Sequence, residues 1–506
     1  MQNNVLDYLS QIVTKVPDKM AFSDGTDSLT FLELYDQSRS IGTFLHNNKV
    51  YKEPVVIFMD KHPNTIAAFL GVIAGGDYYV PIDAEMPEIR IELILKNVKA
   101  KIMICDQNTV DIARKFHFEG KIVTYDEICN VPVDSGALNE IYEKAIDTDP
   151  IYIVFTSGST GIPKGVAACH RSVIDYIEHL SEVFEFDENT VFGNQTPLYV
   201  DACLKEIYPT LKFGATTYLI PKSLFMFPVQ IVEFLNNHKI NTICWVVSAL
   251  TMISAFGTFK TIVPEYLKLI AFASEVFPIK QFNIWRSVLP NAKYINLYGP
   301  TEGTGICCYY IVDREFTPGQ VIPIGKPFRN TEIILLNDKN ERAGAGESGE
   351  ICIRGTSLTL GYYNNFEKTN EVFVQNPLNP FYPELIYKTG DIGRYNELGE
   401  LEFISRKDHQ IKHMGHRIEL GEIEVNVNML EEIKMAGCIY DDVKNKIVLY
   451  YVGEIDEKDL AVSLKDKLPR YMIPNSIIRL DQMPTTMNGK IDRVVLKNNY
   501  QKRYTK

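Results

Sequence analysis

Short apolar runs alternate with longer stretches of mixed polar and apolar residues through the first part of the chain. Runs of four to six apolar residues are typical of buried strands, and the intervening stretches have the length and spacing of helices. The strands predicted in this way lie at 55–59, 101–105, 151–155, 217–220 and 242–247. Alternation of this kind predicts α/β layers built on largely parallel sheets.

The pattern changes near residue 349, where short strands are separated by turn residues. Strands are predicted at 349–355 and 399–404, which indicates a small β-rich subdomain. A further unit follows Lys407, with ordered segments expected at 418–428 and 448–452. A chain of 506 residues exceeds the size of a single core. We therefore expect a large N-terminal domain at 1–407 and a small, mobile α+β C-terminal domain at 408–506.

Composition indicates a globular chain rather than a disordered one, because 45% of residues are hydrophobic and 23% are charged. The net charge of −12 disfavours a nucleic-acid partner. No signal-peptide pattern and no membrane-spanning apolar run are found, so we expect a cytoplasmic monomer without membrane insertion. The nine cysteines show no paired spacing, which predicts neither a zinc site nor a disulfide framework.

The segment 151–165 runs from an apolar strand into a loop of glycines and hydroxyl residues that ends in a lysine. Such a loop suits phosphate, because glycine lets backbone N–H groups approach an anion while hydroxyls and an ammonium add donors. It is not a Walker loop, since proline and glycine flank the lysine. The alternative is an ordinary surface turn. The predicted phosphate-binding residues are Thr156, Ser157, Gly158, Ser159, Thr160, Gly161 and Lys164.

Further motifs follow this loop in a fixed order. They read Tyr-Gly-Pro-Thr-Glu at 298–302, Tyr-Lys-Thr-Gly-Asp at 387–391, Arg-Lys-Asp-His-Gln-Ile-Lys at 406–412, Gly-His-Arg-Ile-Glu-Leu-Gly-Glu at 415–422 and Asn-Gly-Lys-Ile-Asp-Arg at 488–493. Together with Leu-Thr-Phe-Leu-Glu-Leu at 29–34 and Gly-Gly-Asp-Tyr-Tyr-Val-Pro-Ile-Asp at 75–83, they run nearly end to end. In this order the chain resembles the AMP-forming adenylating enzymes, in particular stand-alone amino-acid adenylation proteins, D-alanine:carrier-protein ligases and adenylation domains of nonribosomal peptide synthetases.

The resemblance implies a reaction in which a carboxylate and ATP give an acyl-adenylate and pyrophosphate, followed by transfer of the acyl group to a thiol. It implies ATP and Mg²⁺ as cofactors. It also assigns nucleotide-binding roles: Asp391 on the ribose hydroxyls, Tyr298 near adenine, Thr301 on the phosphate, Glu302 on Mg²⁺, Arg406 on ribose or phosphate, and Gly299 and Pro300 beside them. The alternative for Asp391 is a carboxylate that closes the turn at 389–390.

The resemblance further implies that Lys490 bridges the attacking carboxylate and the α-phosphate in the first half-reaction. Taken alone, Lys490 would be interpreted as a solvated loop lysine. Because it lies in the small terminal unit, that unit must close and later swing away, with Asp408 at the family's hinge position. Lys412 and Gly415 match the residues that face the incoming thiol.

Amino-acid activators of the family carry an aspartate about thirteen residues before a Gly-Ala pair, and Asp201 holds that spacing to Gly214. It is expected to pair with the substrate ammonium; the alternative is a helix N-cap. The implied pocket lining is Asp201, Ala202, Lys205, Ser248, Ile270, Phe272, Leu297, Gly305, Ile306 and Lys490.

Lys205 is unusual in such a lining, because burying an unpaired charge is costly. Three interpretations stay open: Lys205 neutralises Asp201, it receives an acidic or hydrogen-bonding group of the substrate, or it points into solvent. Lys205 and the bulky Phe272 both argue against D-alanine as the substrate.

The expected function is therefore ATP-dependent activation of an amino acid and its transfer to phosphopantetheine on a separate carrier protein, since no carrier sequence follows Lys506. The rival function is an acyl- or aryl-CoA ligase acting on an acid without an amine, in which Asp201 would be dispensable. A scaffold that has lost catalysis is disfavoured because the loop at 156–165 and Lys490 are both intact.

Overall fold

The computed structural model describes residues 2–158, 162–317, 319–407, 410–485 and 491–504. The chain divides into two compact units. Unit 1 comprises Met1–Ala84, Val98–Val154 and Gly165–Lys407, and unit 2 comprises Glu85–Asn97, Phe155–Lys164 and Asp408–Lys506. One boundary falls between Lys407 and Asp408, where the sequence division was placed. Two earlier segments that the sequence assigned to the first domain group with unit 2.

The α-helices are α1 Leu6–Val13, α2 Phe31–Asn47, α3 Pro63–Ala74, α4 Glu88–Val98, α5 Val110–Ala113, α6 Tyr125–Ile128, α7 Ser135–Lys144, α8 His170–Phe184, α9 Leu204–Phe213, α10 Pro228–Asn237, α11 Val247–Ala255, α12 Ile279–Val288, α13 Phe366–Val372, α14 Leu420–Asn428, α15 Glu457–Lys465 and α16 Arg493–Tyr504. Short 3₁₀ turns at Asp201–Cys203 and Thr301–Gly303 matter for the site.

The strands are β1 Met20–Ser23, β2 Ser28–Thr30, β3 Pro54–Phe58, β4 Tyr78–Pro81, β5 Ile102–Cys105, β6 Lys121–Thr124, β7 Pro150–Thr156, β8 Lys164–Cys169, β9 Val191–Asn194, β10 Thr216–Leu219, β11 Thr242–Val246, β12 Leu269–Ala273, β13 Lys293–Tyr298, β14 Cys308–Ile311, β15 Lys326–Pro327, β16 Thr331–Leu336, β17 Gly349–Gly355, β18 Gly361–Tyr362, β19 Phe373–Gln375, β20 Leu385–Tyr395, β21 Leu401–Arg406, β22 Gln410–His413, β23 His416–Glu419, β24 Ile433–Asp441, β25 Lys446–Gly453 and β26 Ser476–Arg479.

Two large sheets carry the α/β part of the chain. Within the described residues, one has the strand order β15-β14-β13-β12-β11-β9-β10-β1-β2 and the other β18-β8-β7-β4-β3-β5-β6. The central neighbours β13-β12-β11-β9-β10-β1 and β4-β3-β5-β6 pair in parallel. The five strands predicted from apolar runs are confirmed as β3, β5, β7, β10 and β11. Parallel pairing with intervening helices confirms the predicted α/β class.

The β-rich region is a separate antiparallel sheet with the order β16-β17-β20-β19, in which β21 pairs with β20. The strand predicted at 349–355 is β17, and the one predicted near 399–404 is β21. This register places Asp391 opposite Arg406. A hairpin-like pair of strands thus brings two predicted site residues to one point.

Unit 2 contains a three-stranded sheet, β24-β25-β26, and the two-stranded pair β22-β23. Its apolar core gathers side chains of α14, α15 and the sheet, including Ile423, Leu460 and Leu449, all fully buried. The α+β prediction for the C-terminal part is confirmed by this mixture.

Two further predictions concerned the cysteines and membrane-spanning helices. All nine cysteines are unpaired thiols in buried positions, as expected of small apolar side chains. Across the described part of the chain, no helix combines the length and the apolar character needed to cross a bilayer.

Candidate active site

The segment after β13 forms a tight return into β14. A β-carbon at Gly299 would lie only 2.4 Å from the carbonyl oxygen of Gly305, so only glycine fits there. Thr304 and Gly305 both adopt positive φ, at 56° and 89°, and the amide of Cys307 donates to the Tyr298 carbonyl at 2.9 Å. The backbone of this return therefore fixes the directions of Tyr298 and of the turn that begins at Thr301.

Tyr298, Asp391 and Arg406 form a buried hydrogen-bonded group. The Tyr298 hydroxyl donates to Oδ2 of Asp391 at 2.5 Å, and Nη1 of Arg406 donates to Oδ1 at 2.5 Å. Asp391 is 2% exposed, and burial, together with the nearby Asp391 carboxylate, raises the pKa of Tyr298 well above its ordinary value. The Asp391 carboxylate is thus oriented by Tyr298 and Arg406 rather than by the turn at 389–390, and each of its oxygens keeps a further acceptor site.

Asp201 belongs to a second group of residues, which includes Thr301 and Gly305 of the return that follows β13. It is the first residue of a 3₁₀ turn, and α9 begins three residues later, so it does not act as the N-cap. Burial raises the pKa of Asp201 to about 6, opposed by a hydrogen bond to the Thr301 side chain. A β-carbon at Gly305 would lie 3.6 Å from Oδ2 of Asp201. Asp201 and Gly305, predicted to line the pocket, and Thr301, predicted to bind phosphate, are therefore brought together.

Lys205 is buried, at 4% exposure, so the solvated interpretation is wrong. Its ammonium donates to the Ala202 carbonyl at 2.6 Å and to Thr196 Oγ1 at 3.3 Å. Oε1 of Glu206 lies 3.7 Å away and forms an ion pair with it. The neighbouring carboxylate thus supplies the partner that Lys205 requires.

Sequence reasoning missed two further residues of this network. Glu206 is fully buried and accepts from Asn194 Nδ2 at 3.2 Å, and burial raises its pKa to about 7. Lys61 donates to the carbonyls of Asn194, Gln195 and Ile220 at 2.9–3.2 Å, and burial lowers its pKa to about 7. Glu206 directly follows Lys205, which the sequence analysis had named, whereas no pattern in the sequence distinguished Lys61 from other lysines.

The prediction that Ile270 and Phe272 line the pocket is wrong. Both pack in a core with Trp245, on one face of β12. Ala271 packs instead with Leu297 and Ile306, in the core on the other face. Because side chains alternate along a strand, an assignment displaced by one residue moves both positions to the wrong face.

The other predicted lining positions fall on the elements around Asp201. Leu297 and Ile306 are buried. Ser248 is half-buried at the start of α11, where its amide donates to Glu275 Oε2 at 2.8 Å. Ala202 contributes the carbonyl that Lys205 bonds.

The predicted phosphate loop joins β7 to β8. Thr156 Oγ1 is buried and has no hydrogen-bond partner among the described residues. A β-carbon at Gly158 would lie 2.0 Å from the Ile162 carbonyl oxygen, so glycine is required by the loop's own backbone. Ser157 and Lys164 are placed within unit 2. Ser159, Thr160 and Gly161 lie outside the described residues.

In the C-terminal part, Lys412 lies on β22 and Gly415 in the turn to β23, with a φ of 80°. Asp408 and Lys490 lie outside the described residues. Thr485 and Ile491, on either side of the segment that contains Lys490, pair as an isolated antiparallel bridge.

A family model described as AMP-binding enzyme matches residues 9–363. The chain belongs to the AMP-binding enzyme family. Tyrocidine synthase 1 of Brevibacillus parabrevis is 31% identical to this AMP-binding enzyme over 493 residues, which are 95% of the present chain and 43% of that protein. The chain thus spans less than half the length of this relative.

Two solved structures show the same fold as this AMP-binding enzyme. The Vibrio cholerae adenylation domain AlmE, in complex with glycyl-adenosine-5'-phosphate, superposes with a TM-score of 0.84 at 20% identity, covering 99% of this chain and 98% of that one. The o-succinylbenzoate CoA synthetase MenE of Bacillus subtilis gives a TM-score of 0.83 at 20% identity, with 98% coverage of both chains. The same fold therefore occurs in a protein bound to the adenylate of an amino acid and in a protein named for an acid that has no amine.

The residues of this AMP-binding enzyme fit a magnesium ion held together with substrate phosphates. Glu302 is fully buried, and its Oε1 accepts a hydrogen bond of 2.6 Å from the Tyr362 hydroxyl, which orients the carboxylate. One protein carboxylate completed by phosphate oxygens is a ligand set that Mg²⁺ prefers. Asp201 is close enough for the Glu302 charge to raise its pKa.

Proposed function

We propose that this chain is an ATP- and Mg²⁺-dependent adenylating ligase that activates an amino acid as its aminoacyl-AMP and transfers it to the phosphopantetheine thiol of a separate carrier protein. It acts as a monomer in the cytoplasm. The family model and the matching fold support AMP formation, and the following residues support an amino acid as the substrate.

One observation carries the proposal. Thr301, which bonds Asp201, lies three positions after Tyr298, which bonds Asp391. The first group offers a carboxylate for ribose hydroxyls, and the second offers a carboxylate for an ammonium. The return after β13 thus joins a group that suits a nucleotide to a group that suits an amine, and this supports an aminoacyl-adenylate as the product.

The balance of charge around Asp201 also favours an amine. Among the described residues of this network, the carboxylates of Asp201, Glu206 and Glu302 face two ammonium groups, those of Lys61 and Lys205. Lys205 forms its ion pair with Glu206, so Asp201 feels that ammonium group only as a more distant charge. A substrate ammonium would supply Asp201 with a close partner, since a buried carboxylate is stable only when it is paired.

In the first half-reaction, a carboxylate oxygen of the amino acid attacks the α-phosphorus, and the bond to the bridging oxygen breaks to release pyrophosphate. Lys490 stabilises the charge that develops between carboxylate and phosphate, and Asp408 serves as the hinge that lets residues 408–506 deliver it. Mg²⁺ on Glu302 would neutralise phosphate charge. In the second half-reaction the thiol sulfur attacks the acyl carbon, AMP departs, and the loop around Lys412 and Gly415 guides the thiol.

The test is ATP–pyrophosphate exchange with a panel of L-, D- and β-amino acids and of fatty and aryl acids. Exchange with one amino acid that falls by about a hundredfold or more in Asp201→Asn supports the proposal. Asp36→Asn, which changes an exposed aspartate of α2, is the matched control and should leave exchange unchanged. Exchange only with acids that lack an amine, undiminished in Asp201→Asn, would overturn it.

The acceptor is tested separately by supplying holo-carrier protein or coenzyme A to the enzyme and its adenylate. Loading of the carrier in preference to coenzyme A supports the proposal. Efficient transfer to coenzyme A, with no loading of any holo-carrier, would instead identify an acyl-CoA ligase of the kind exemplified by MenE.

A further inference from the structure

Within unit 2, Ser157, Gly158 and Lys164 contact acidic and backbone groups of the C-terminal segment. The Gly158 amide donates to Oε2 of Glu422 at 3.3 Å, and the Ser157 hydroxyl donates to the Arg417 carbonyl at 2.7 Å. Lys164 Nζ lies 3.7 Å from Oε1 of Glu419. An amide, a hydroxyl and an ammonium that suit a phosphate are thus engaged by groups of the protein itself.

Glu422 is placed as an anion on this loop. It lies on α14, is 1% exposed, and directs one carboxylate oxygen at Gly158 and the other at the guanidinium of Arg90. A carboxylate and a phosphate are alternative acceptors for the same N–H donors. They also repel one another at short range, because both are negative.

Arg90 is the anchor of this arrangement. It lies on α4, is 5% exposed, and its Nε has no hydrogen-bond partner among the described residues. Burial lowers the pKa of Arg90, as expected when a guanidinium is removed from water. A buried arginine is stable only with an anionic partner, and Glu422 is the partner that the structure shows.

We infer that Glu422 is a positioning residue that competes with the β- and γ-phosphates of ATP for the Gly158 amide and is held there by Arg90. This inference rests on the proposed function. ATP can fill the loop only when Glu422 has left Gly158, and Glu422 can return only when pyrophosphate has departed. Occupancy of the loop by a carboxylate thus opposes the rebinding of pyrophosphate after the first half-reaction.

The test compares the affinities of ATP and AMP for wild type and Glu422→Gln, measured by calorimetry in the presence of Mg²⁺. The amide keeps the shape of the side chain and removes its charge. ATP should bind on the order of tenfold more tightly to the variant, the effect of one competing charge-assisted hydrogen bond. AMP should bind equally to both proteins, because it lacks the phosphates that meet Glu422.

Two further variants separate competition from a structural effect. Glu424→Gln is the matched control, since Glu424 lies on the same helix but bonds Arg493 at 2.6 Å rather than the loop; its ATP affinity should equal that of wild type. Arg90→Gln combined with Glu422→Gln removes both buried charges together and keeps the test available if the single variant fails to fold.

Equal gains for ATP and AMP, or no gain for ATP in either variant that lacks Glu422, would overturn the inference. Failure of the wild-type protein to bind either nucleotide would instead refute the proposed function on which the inference rests.

Discussion

The Tyr298 hydroxyl and the Asp391 carboxylate lie 2.5 Å apart although 93 positions separate them in the chain. Arg406 holds the other carboxylate oxygen at the same distance. Asp391 is therefore oriented before any ligand arrives, because side chains of two different strands hold its two oxygens. Preorganisation of this kind lowers the cost of ordering a binding group when the ligand binds.

Tyr298→Phe should weaken binding of both ATP and AMP by about fivefold to tenfold, because it removes one of the two groups that orient Asp391. Calorimetric titration of each nucleotide provides the measurement. Tyr294→Phe is a suitable control, since Tyr294 also loses a buried hydrogen bond, to the Trp285 carbonyl at 2.9 Å, without touching Asp391. Equal weakening in the two variants would indicate a general loss of stability.

Amino-acid activation should depend on pH through Asp201, whose pKa burial raises to about 6. Below that pH the carboxyl is protonated and loses its attraction for the substrate ammonium. At saturating ATP, kcat/KM for the amino acid should therefore fall by about tenfold for each pH unit below about 6. Asp201→Asn should give a low and flat profile, and an unchanged acid limb in that variant would remove Asp201 from this role.

The pair Lys205 and Glu206 offers a double-variant test of charge compensation. Lys205→Met and Glu206→Gln should each lower the free energy of unfolding by about 3 kcal/mol, because each leaves the opposite charge buried without its partner. The combined variant should recover most of that loss, as followed by urea denaturation. Strictly additive losses would show that the two side chains do not compensate each other.

Gly299→Ala should abolish adenylation while leaving the rest of the chain folded. The added methyl group would meet the Gly305 carbonyl at 2.4 Å, so the return must open and separate Tyr298 from Thr301. Gly303→Ala provides the comparison, since a β-carbon at Gly303 would lie 3.6 Å from its nearest neighbours. Wild-type exchange activity in Gly299→Ala would show that this spacing is not needed.

Stability should fall as pH rises toward neutrality, because of Asp77. This buried carboxyl accepts from the Glu53 amide at 3.0 Å, its Oδ2 has no partner among the described residues, and burial raises its pKa from 3.8 to about 7. Between those values the folded state binds a proton that the unfolded state has lost, so the free energy of unfolding decreases with pH. Asp77→Asn should reduce that decrease when urea midpoints are compared at pH 5 and pH 8.

Much of the fold followed from local pattern. The apolar run at 151–155 and the turn-bounded run at 349–355 both became strands, because burial of short apolar runs in a sheet decides their conformation. The motifs that contain Asp201 and Asp391 were found through the resemblance to the adenylating family, which supplied the spacing and the order in which to look for them. Ile270 and Phe272 were misassigned because alternation along β12 depends on register, which a single sequence does not reveal.

Other parts of the site depend on pairing between distant segments. Lys61 is separated by 133 positions from the Asn194 carbonyl that it bonds, and Arg90 by 332 from Glu422. Neither lysine nor arginine carries a local signal for burial, since both types are usually exposed. Such contacts become visible only when the topology has placed the elements together.

Because every cysteine is buried, the surface of this chain presents no native thiol to a labelling reagent. Burial raises the pKa of the Cys105 thiol to about 12 and raises that of Cys438 well above its ordinary value, so neither is ionised at neutral pH. A single cysteine introduced at an exposed position such as Val443 would then take up a maleimide dye in preference to the native thiols. Movements of the C-terminal part could be followed by fluorescence without first removing any natural cysteine.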